Sequence, residues 1–290
     1  MTDPQLAHTT EFGRMYSRSL TGAPEVPSIT TVIAQEAKDF TGWAGHMATS
    51  ELISDARLNT AVGSAADLRR LAREASSAAE RFRDAAAARG DRVHAYAEQL
   101  ALAALGSHAD PEGARAALAE RGESRFADRL DEWWQLYGVK PVSAEVTVWN
   151  HTVGYAGTLD LVAEIGGRLC ILDFKTKGLT RDGRAKPLND SVVMQLVAGF
   201  RAEEMLVDAA AGTWQPWPYA EAEVEPVLLA VAVSEAEVVP MQANSSSLRT
   251  HWRKFWALRQ VWEHARTCAE SGRALHPVGP PPASAPPARH

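Results

Sequence analysis

Helical patterns dominate the first half of the chain, after a polar start. Residues 1–27 are polar and show no regular hydrophobic spacing, so we expect this segment to be only partly ordered. Pro27 and Ser28 then form a helix-start signal. Gly90 and Asp91 predict the end of one helix and the cap of the next. Strong helix formers fill four stretches: 43–53, 65–89, 92–105 and 111–136.

The pattern changes to strands near Val139. Three consecutive stretches are rich in β-formers, namely 143–150, 153–165 and 168–177. Gly166 and Gly167, between the last two, are typical of a tight hairpin turn. Later patterns predict a helix over 191–210, paired strands over 225–233 and 236–241, and an amphipathic helix over 247–270. This order predicts an α/β fold with an N-terminal helical elaboration.

Composition is that of a folded globular protein. The chain has 290 residues, of which 46% are apolar and 23% are charged. We expect one domain over 28–272, divided into a helical elaboration (28–90) and a core (91–272). A proline-rich, disordered tail follows over 273–290. No stretch approaches the ~18 uncharged apolar residues of a membrane span, and no secretion signal is visible, so we expect a cytoplasmic protein without a membrane partner.

Charge is distributed unevenly along the chain. The formal net charge is −6, which by itself argues against a nucleic-acid partner. Three stretches are nevertheless basic: 69–92 (net +3), 175–186 (net +4) and 249–266 (net +4). Local patches, rather than total charge, determine attraction to phosphates. Each stretch is therefore either an ordinary solvated surface or part of a nucleic-acid interface.

The densest candidate chemistry lies on the predicted hairpin. A turn at Gly166-Gly167 places Asp160 opposite Asp173, with Cβ atoms ~5 Å apart. Lys175 lies on the same side of its strand as Asp173. Two adjacent carboxylates repel unless a cation lies between them, and a hard divalent ion such as Mg²⁺ fits. The alternative for an Asp-x-Lys triplet alone is a surface ion pair.

Four motifs in this region resemble a known family. They are VHAYAE (93–98), GTLD (157–160), LDFKTK (172–177) and QLVAGF (195–200). Their order and placement are similar to those of RecB-type nucleases in the PD-(D/E)XK superfamily, and especially to phage-type exonucleases. The opening PSITTVI (27–33) adds to the likeness. The resemblance implies a restriction-endonuclease-like core of helix, three-strand meander, helix and strand.

The resemblance also implies roles for individual residues. It implies four metal ligands for Mg²⁺ or Mn²⁺: His94, Asp160, Asp173 and the backbone carbonyl of Phe174. Lys175 would be the catalytic lysine. Gln195 would organise that lysine or contact the DNA backbone, and Glu145 would bind a second ion or orient water. Some relatives carry four cysteines for an iron–sulfur cluster; this chain has only Cys170 and Cys268, so we expect no cluster.

The resulting expectation is a metal-dependent DNA exonuclease acting on ends in recombination, repair or phage DNA metabolism. Its expected partners are DNA and a single-strand annealing or recombination protein. One alternative is a non-catalytic nucleic-acid-binding or scaffold protein with the same fold, and another is an enzyme acting on a small phosphoester. Simpler roles also remain for single residues: a cap contact for His94, strand-end capping for Gln195 and an exposed strand position for Glu145. Trp149 is a candidate for base stacking.

Overall fold

The computed structural model describes residues 4–219 and 225–280. It is an α/β fold in which helices cover both faces of a mixed seven-stranded sheet, and a small three-stranded sheet packs beside it. Residues 273–280 lie outside helices and strands. The rest of the tail expected to be disordered, 281–290, lies outside the described residues.

The strands of the described residues form two sheets. The small sheet contains β1 (Ala7–Thr10), β2 (Gly13–Tyr16) and β3 (Val26–Pro27). The large sheet contains β4 (Lys140–Asn150), β5 (Tyr155–Ile165), β6 (Arg168–Thr176), β7 (Glu204–Asp208), β8 (Thr213–Pro216), β9 (Val227–Val233) and β10 (Val238–Gln242).

The helices of the described residues fall into three groups. The N-terminal group is α1 (Ile29–Ile33), α2 (Thr41–Ser54), α3 (Leu58–Ala61) and α4 (Ala65–Ala75). The second group is α5 (Ala78–Ala104), α6 (Pro111–Ala119) and α7 (Ser124–Tyr137). The third is α8 (Ser191–Phe200) and α9 (Ser245–Glu270).

The predicted meander is confirmed at the centre of the large sheet. The strand order is β10-β9-β6-β5-β4-β7-β8, with β4, β5 and β6 antiparallel neighbours. Gly166 (φ 59°) and Gly167 (φ 76°) both have positive φ, which a two-residue hairpin turn requires and glycine adopts without strain. β9 runs parallel to β6 and pairs with β10, so the predicted pairing of these last strands is also confirmed.

Each face of the sheet has its own core. On one face, α5, α6 and α7 bury Tyr96, Leu130 and Trp133 against Phe174. On the other face, α8 packs Leu196 and its neighbours against β4, β5, β6 and β9. The helix α9 then covers α1 and α8. The sheet is thus buried on both faces, as continuous apolar runs such as 227–233 require.

The expectation of a partly ordered segment at 1–27 is wrong for the described residues from Pro4 onward. Strands β1 to β3 form a sheet here, with Leu6, Met15 and Tyr16 buried. The strands contain only two to four residues, too few for a recognisable alternation. Their stability comes from long-range packing against Trp149 and Ala156 in the large sheet, which local sequence does not reveal.

Helix boundaries before β4 differ from the predictions in three places. The expected break at Gly90-Asp91 is wrong, because α5 continues through both residues; one glycine costs only ~1 kcal/mol in a helix, and tertiary packing offsets it. The stretch 65–89 instead divides near Ser76. The stretch 111–136 divides into α6 and α7 near Gly122, whose φ is 70°.

The predicted helix over 191–210 is too long. α8 ends at Phe200, and the following residues form β7, which pairs with β4. Asn150 Nδ2 donates to the carbonyl oxygen of Arg201 at 2.6 Å, and the Glu203 N–H donates to the Trp149 carbonyl at 2.8 Å. These contacts extend the sheet at the expense of local helix propensity. No helix in the described part of the chain is long and apolar enough to cross a membrane.

Candidate functional site

One cavity of about 220 Å³ brings together most of the residues selected from the sequence. Its walls include five of them, which come from α5, three strands and α8: His94, Glu145, Asp160, Lys175 and Gln195. Asp173 is buried beside Lys175, with 4% of its surface exposed. Residues from five separate elements therefore meet at one place.

The hairpin register carries the two aspartates to this cavity. Leu161 lies opposite Leu172, which is the predicted register and makes Asp160 and Asp173 the next pair along. The backbone ladder ends at the leucines. Beyond them, the N–H of Phe174 donates to Oδ2 of Asp160 at 2.7 Å. A carboxylate thus replaces a strand carbonyl as the acceptor, and this bond fixes the orientation of Asp160.

Glu145 lies at an irregular point of β4, beside Asp160. Its φ is 49°, a left-handed conformation that is unusual for a non-glycine residue and costs of order 1 kcal/mol. Neighbours two apart on a strand normally share a face, yet Ala144 packs with the α5 side of the sheet and Val146 with the α8 side. The strand therefore changes face at Glu145, directly at the cavity.

His94 and Asp160 form the first ionic contact of the site. Nδ1 of His94 lies 3.4 Å from Oδ2 of Asp160, and both side chains are largely buried. Burial alone would lower the pKa of His94, but attraction to Asp160 outweighs it and the pKa is raised. Burial works against ionisation of Asp160 as well, yet His94 and Lys175 lower its pKa overall. Asp160 is therefore an ionised carboxylate.

Lys175 and Asp173 form the second contact. Nζ of Lys175 lies 2.6 Å from Oδ2 of Asp173. Burial, together with the nearby Asp160, raises the pKa of Asp173 to about 6 despite this lysine. Burial lowers the pKa of Lys175, but the two aspartates outweigh it and raise the pKa overall. Lys175 is therefore a charged ammonium group held at the cavity wall.

Glu145 is a strongly perturbed acid at the cavity. Burial, reinforced by repulsion from Asp160 and Glu98, raises its pKa to about 8. Its side chain is half-buried and lines the cavity, so the exposed-strand alternative does not describe it. At neutral pH this carboxyl is largely protonated, and a cation close to it would favour the ionised form.

The N-terminal segment supplies a wall that the sequence did not reveal. Arg14, Tyr16, Ser28 and Thr30 line the same cavity. The hydroxyl groups of Tyr16 and Thr158 are 3.0 Å apart, which ties this wall to β5. Arg14 is exposed and adds a cation at the cavity. The PSITTVI motif was the available signal for Ser28 and Thr30, whereas nothing local marked the two residues of β2.

Two simpler sequence interpretations are also resolved. Asp91 lies inside α5 and caps no helix, so His94 has no cap to contact and instead faces Asp160. Trp149, the candidate for base stacking, is only 2% exposed. Its ring packs against Trp214, and the guanidinium of Arg18 lies 4.9 Å from its centroid. Its surface is therefore not open to a nucleic-acid base.

The donor set has the chemistry that a hard divalent cation prefers, namely carboxylate and carbonyl oxygens with one imidazole. Oδ2 of Asp173 is buried and receives no well-angled hydrogen bond from the described residues, although Nζ of Lys175 is close. That atom is suited to a cation. However, no group of three or more His, Cys, Asp or Glu side chains in 4–219 and 225–280 is arranged to hold a metal ion, so the ligand set stays a prediction.

Comparisons with known proteins add little. No protein-family model matches the chain, and no curated protein matches it. Among solved structures, the one described as "Crystal structure of SSO0001" is similar over 57% of this chain and 74% of that chain, with 14% identity and a TM-score of 0.24. A likeness with so low a TM-score carries no argument about fold or function. No family is assigned on these comparisons.

Proposed function

We propose that this protein is a metal-dependent DNA nuclease, and more narrowly an exonuclease that acts on DNA ends. The observation that carries the proposal is the meeting of His94, Asp160 and Lys175 at one cavity, with Asp173 buried in contact with Lys175. Two adjacent buried carboxylates with a histidine and a charged lysine suit phosphodiester hydrolysis assisted by Mg²⁺ or Mn²⁺.

The arrangement of elements supports a PD-(D/E)XK core of the RecB and phage type. The resemblance implies a helix, a three-strand meander, a helix and a strand. The chain has α5, the meander β4-β5-β6, then α8, and then β9 parallel to β6, with α6 and α7 inserted before the meander and β7 and β8 inserted before β9. His94 lies on the first of these helices and Gln195 on the second. Each motif residue is therefore on the element that the resemblance implies.

The proposed chemistry assigns a role to each side chain. A bound divalent ion would supply Lewis acidity and lower the pKa of a coordinated water. His94, Asp160, Asp173 and the Phe174 carbonyl would hold that ion. Lys175 neutralises negative charge that develops on the phosphate in the transition state. Gln195, which lines the same cavity, would contact the lysine or the DNA backbone.

A basic hairpin beside the cavity would hold the DNA backbone. Residues 178–186 leave β6 directly and are closed by a bridge between Leu179 and Ala185. The cations of this hairpin are Arg181, Arg184 and Lys186, and Lys177 lies directly before it. Among the described residues, none of these four side chains forms an ion pair. The pKa of Lys177 is lowered by burial and by the two nearest lysines. Bound phosphates would reduce the repulsion between these like charges. The hairpin would therefore bind the DNA backbone without reading its sequence.

The other two basic stretches are largely compensated. In 69–92, Arg70, Arg81 and Arg92 pair with acids, and in 249–266, Lys254 and Arg259 do so. For most of their length, the interpretation as ordinary solvated helix surface describes these stretches better. The hairpin is therefore the main candidate surface for the phosphate backbone.

The decisive experiment compares linear and circular DNA in Mg²⁺ or Mn²⁺. The variants are Asp173→Asn and Lys175→Met, with Lys140→Ala, a surface lysine paired with Glu164, as the matched control. We expect the wild type and the control to release nucleotides from linear DNA only, and both site variants to lose at least about a hundredfold in rate. Unchanged rates in both site variants would contradict the proposed mechanism.

The alternative is a non-catalytic nucleic-acid-binding or scaffold protein. It is favoured by the lack of a three-residue ligand group in the described part of the chain. This alternative predicts DNA binding with a steep dependence on salt, no released nucleotides in any metal and no site-specific Mn²⁺ uptake by calorimetry. A single-strand annealing or recombination partner, and a cytoplasmic location, stay predictions of the sequence.

A further inference from the structure

An exposed aromatic cluster lies on the helical elaboration, outside the candidate site. It consists of Phe40, Trp43 and Phe82, which we call the aromatic patch. The ring centroids of Phe40 and Trp43 are 6.3 Å apart, and those of Trp43 and Phe82 are 5.9 Å apart, both edge to face. Phe40 is 54% exposed and Phe82 is 50% exposed. Large aromatic residues with this exposure suggest a surface used for binding.

The patch is left uncovered by the helix that carries its central ring. Trp43 lies on α2, a helix of 14 residues that buries none of its side chains in this structure. Most of its contacts are with α4 and α5. The side chains of α2 therefore bury little surface against the rest of the fold, and the aromatic rings remain accessible to a ligand.

The helix α5 connects the patch directly to the proposed active site. Phe82 and His94 both lie on it, twelve residues or ~18 Å apart along the axis. Arg83 precedes His94 by about three full turns, so both project from one side of the helix. Ala87 and Gly90, at i+4 and i+7 from Arg83, lie between them on that side. Gly90 itself lines the cavity.

This side of α5 forms an open path, which we call the α5 strip (Arg83, Ala87 and Gly90). Its two small residues leave room for a chain to pass close to the helix. Arg83 is 60% exposed on its side chain and has only a loose contact, 3.9 Å, with Glu80. Lys38, two residues before Phe40, is exposed as well. Arg83 therefore provides a weakly paired cation next to Phe82, where a phosphate would run.

We infer that the aromatic patch stacks the unpaired bases of a DNA strand whose other part occupies the cavity. The strand would run along the α5 strip, with phosphates near Arg83 and bases on the rings of Phe82 and Phe40. Exposed rings beside cations are the usual combination for binding single strands without sequence preference. At ~3.4 Å per stacked nucleotide, the patch is about five nucleotides from His94. This inference rests on the proposed function, because it takes the cavity as the site that holds the strand.

Binding of fluorescein-labelled oligo(dT) tests this inference, followed by anisotropy in EDTA so that no strand is cut. For the wild type, affinity should increase stepwise between about three and eight nucleotides. Phe82→Ala and Phe40→Ala should remove this step and weaken binding of a 20-mer by roughly fivefold or more. Phe82→Leu should also lose it, because leucine retains apolar area without a π face, whereas Phe82→Tyr should retain it.

Trp256→Ala is the matched control, because Trp256 is 53% exposed on α9; its affinity should equal that of the wild type. Circular dichroism and thermal melting verify the fold of each variant. Unchanged 20-mer affinity in both Phe82→Ala and Phe40→Ala, while the wild type still degrades linear DNA, would overturn this inference alone. A change in sedimentation without a change in affinity would identify a protein contact and overturn it too. A wild type that neither cuts nor binds DNA would overturn the proposed function as well.

Discussion

Glu145 gives a quantitative test of the electrostatics of the cavity, through the variant Glu145→Gln. Glutamine has nearly the shape of a protonated glutamate and carries no charge at any pH. The pKa of Glu145 is raised from 4.5 to about 8 in the folded protein. The substitution therefore fixes the side chain in the uncharged form that the folded state favours.

The sign of the effect follows from proton binding. Between pH 4.5 and about 8 the folded wild type holds a proton on Glu145 that the unfolded chain has released. Stability then falls as pH rises, because the folded state binds more protons. The full shift corresponds to about 5 kcal/mol at ~1.36 kcal/mol per pKa unit. Because the side chain is half-buried and screened, we expect roughly 2 kcal/mol of this to be observed.

The assay is urea unfolding of the wild type and Glu145→Gln at pH 5, 7 and 9 in EDTA, so that no divalent ion offsets the repulsion. The two proteins should be nearly equal in stability at pH 5, and Glu145→Gln should be more stable by roughly 2 kcal/mol at pH 9. Glu164→Gln, on β5 near the hairpin turn and outside the cavity lining, serves as the matched control. A stability difference that is constant from pH 5 to pH 9 would refute this account of the site.

Three further substitutions test the packing described above. Gly90→Ala should raise the free energy of unfolding by about 0.5–1 kcal/mol in urea titrations. Gly90 is helical, and the nearest atom that a Cβ would meet beyond its own helix lies 4.0 Å away. A loss of stability would contradict the continuous α5. Gly199→Ala should lower stability by about 1–3 kcal/mol, since its Cβ would clash with Cδ2 of Leu159, and an unchanged melting temperature would refute this close packing. Tyr155→Phe removes a buried hydrogen bond of 2.8 Å to the carbonyl of Ala198 and should cost about 1–2 kcal/mol by thermal unfolding, whereas no measurable loss would show that water satisfies this carbonyl.

The central part of the fold was predictable because its signals are local and strong. Gly166-Gly167 fixes the turn, the turn fixes the register, and the register places Asp160 beside Asp173. The long apolar run at 227–233 likewise indicates a strand buried on both faces. Here residue propensity, hydrophobic alternation and turn chemistry all indicate the same structure, so this part of the fold can be predicted from the sequence.

The remaining parts depend on contacts between distant residues. Nothing near Arg201 indicates that the helix ends there, because the competing partner is the edge of β4, about fifty residues earlier. Gly90 signals a break that the packing of α5 overrides. The left-handed φ of Glu145 arises from a change of strand face that no propensity scale contains. These features belong to the assembled sheet rather than to any short stretch.

The wall formed by the first thirty residues has a practical consequence for any shortened version of this protein. A chain that begins after Thr30 would retain both aspartates, the lysine and the histidine, but would lack Arg14, Tyr16 and Ile29. One side of the cavity would then be open to bulk water. It would also expose Gly157, whose surface is covered by Ile29 in the intact chain. Removing the segment that the sequence predicts to be only partly ordered would therefore leave these four side chains in place without their enclosure.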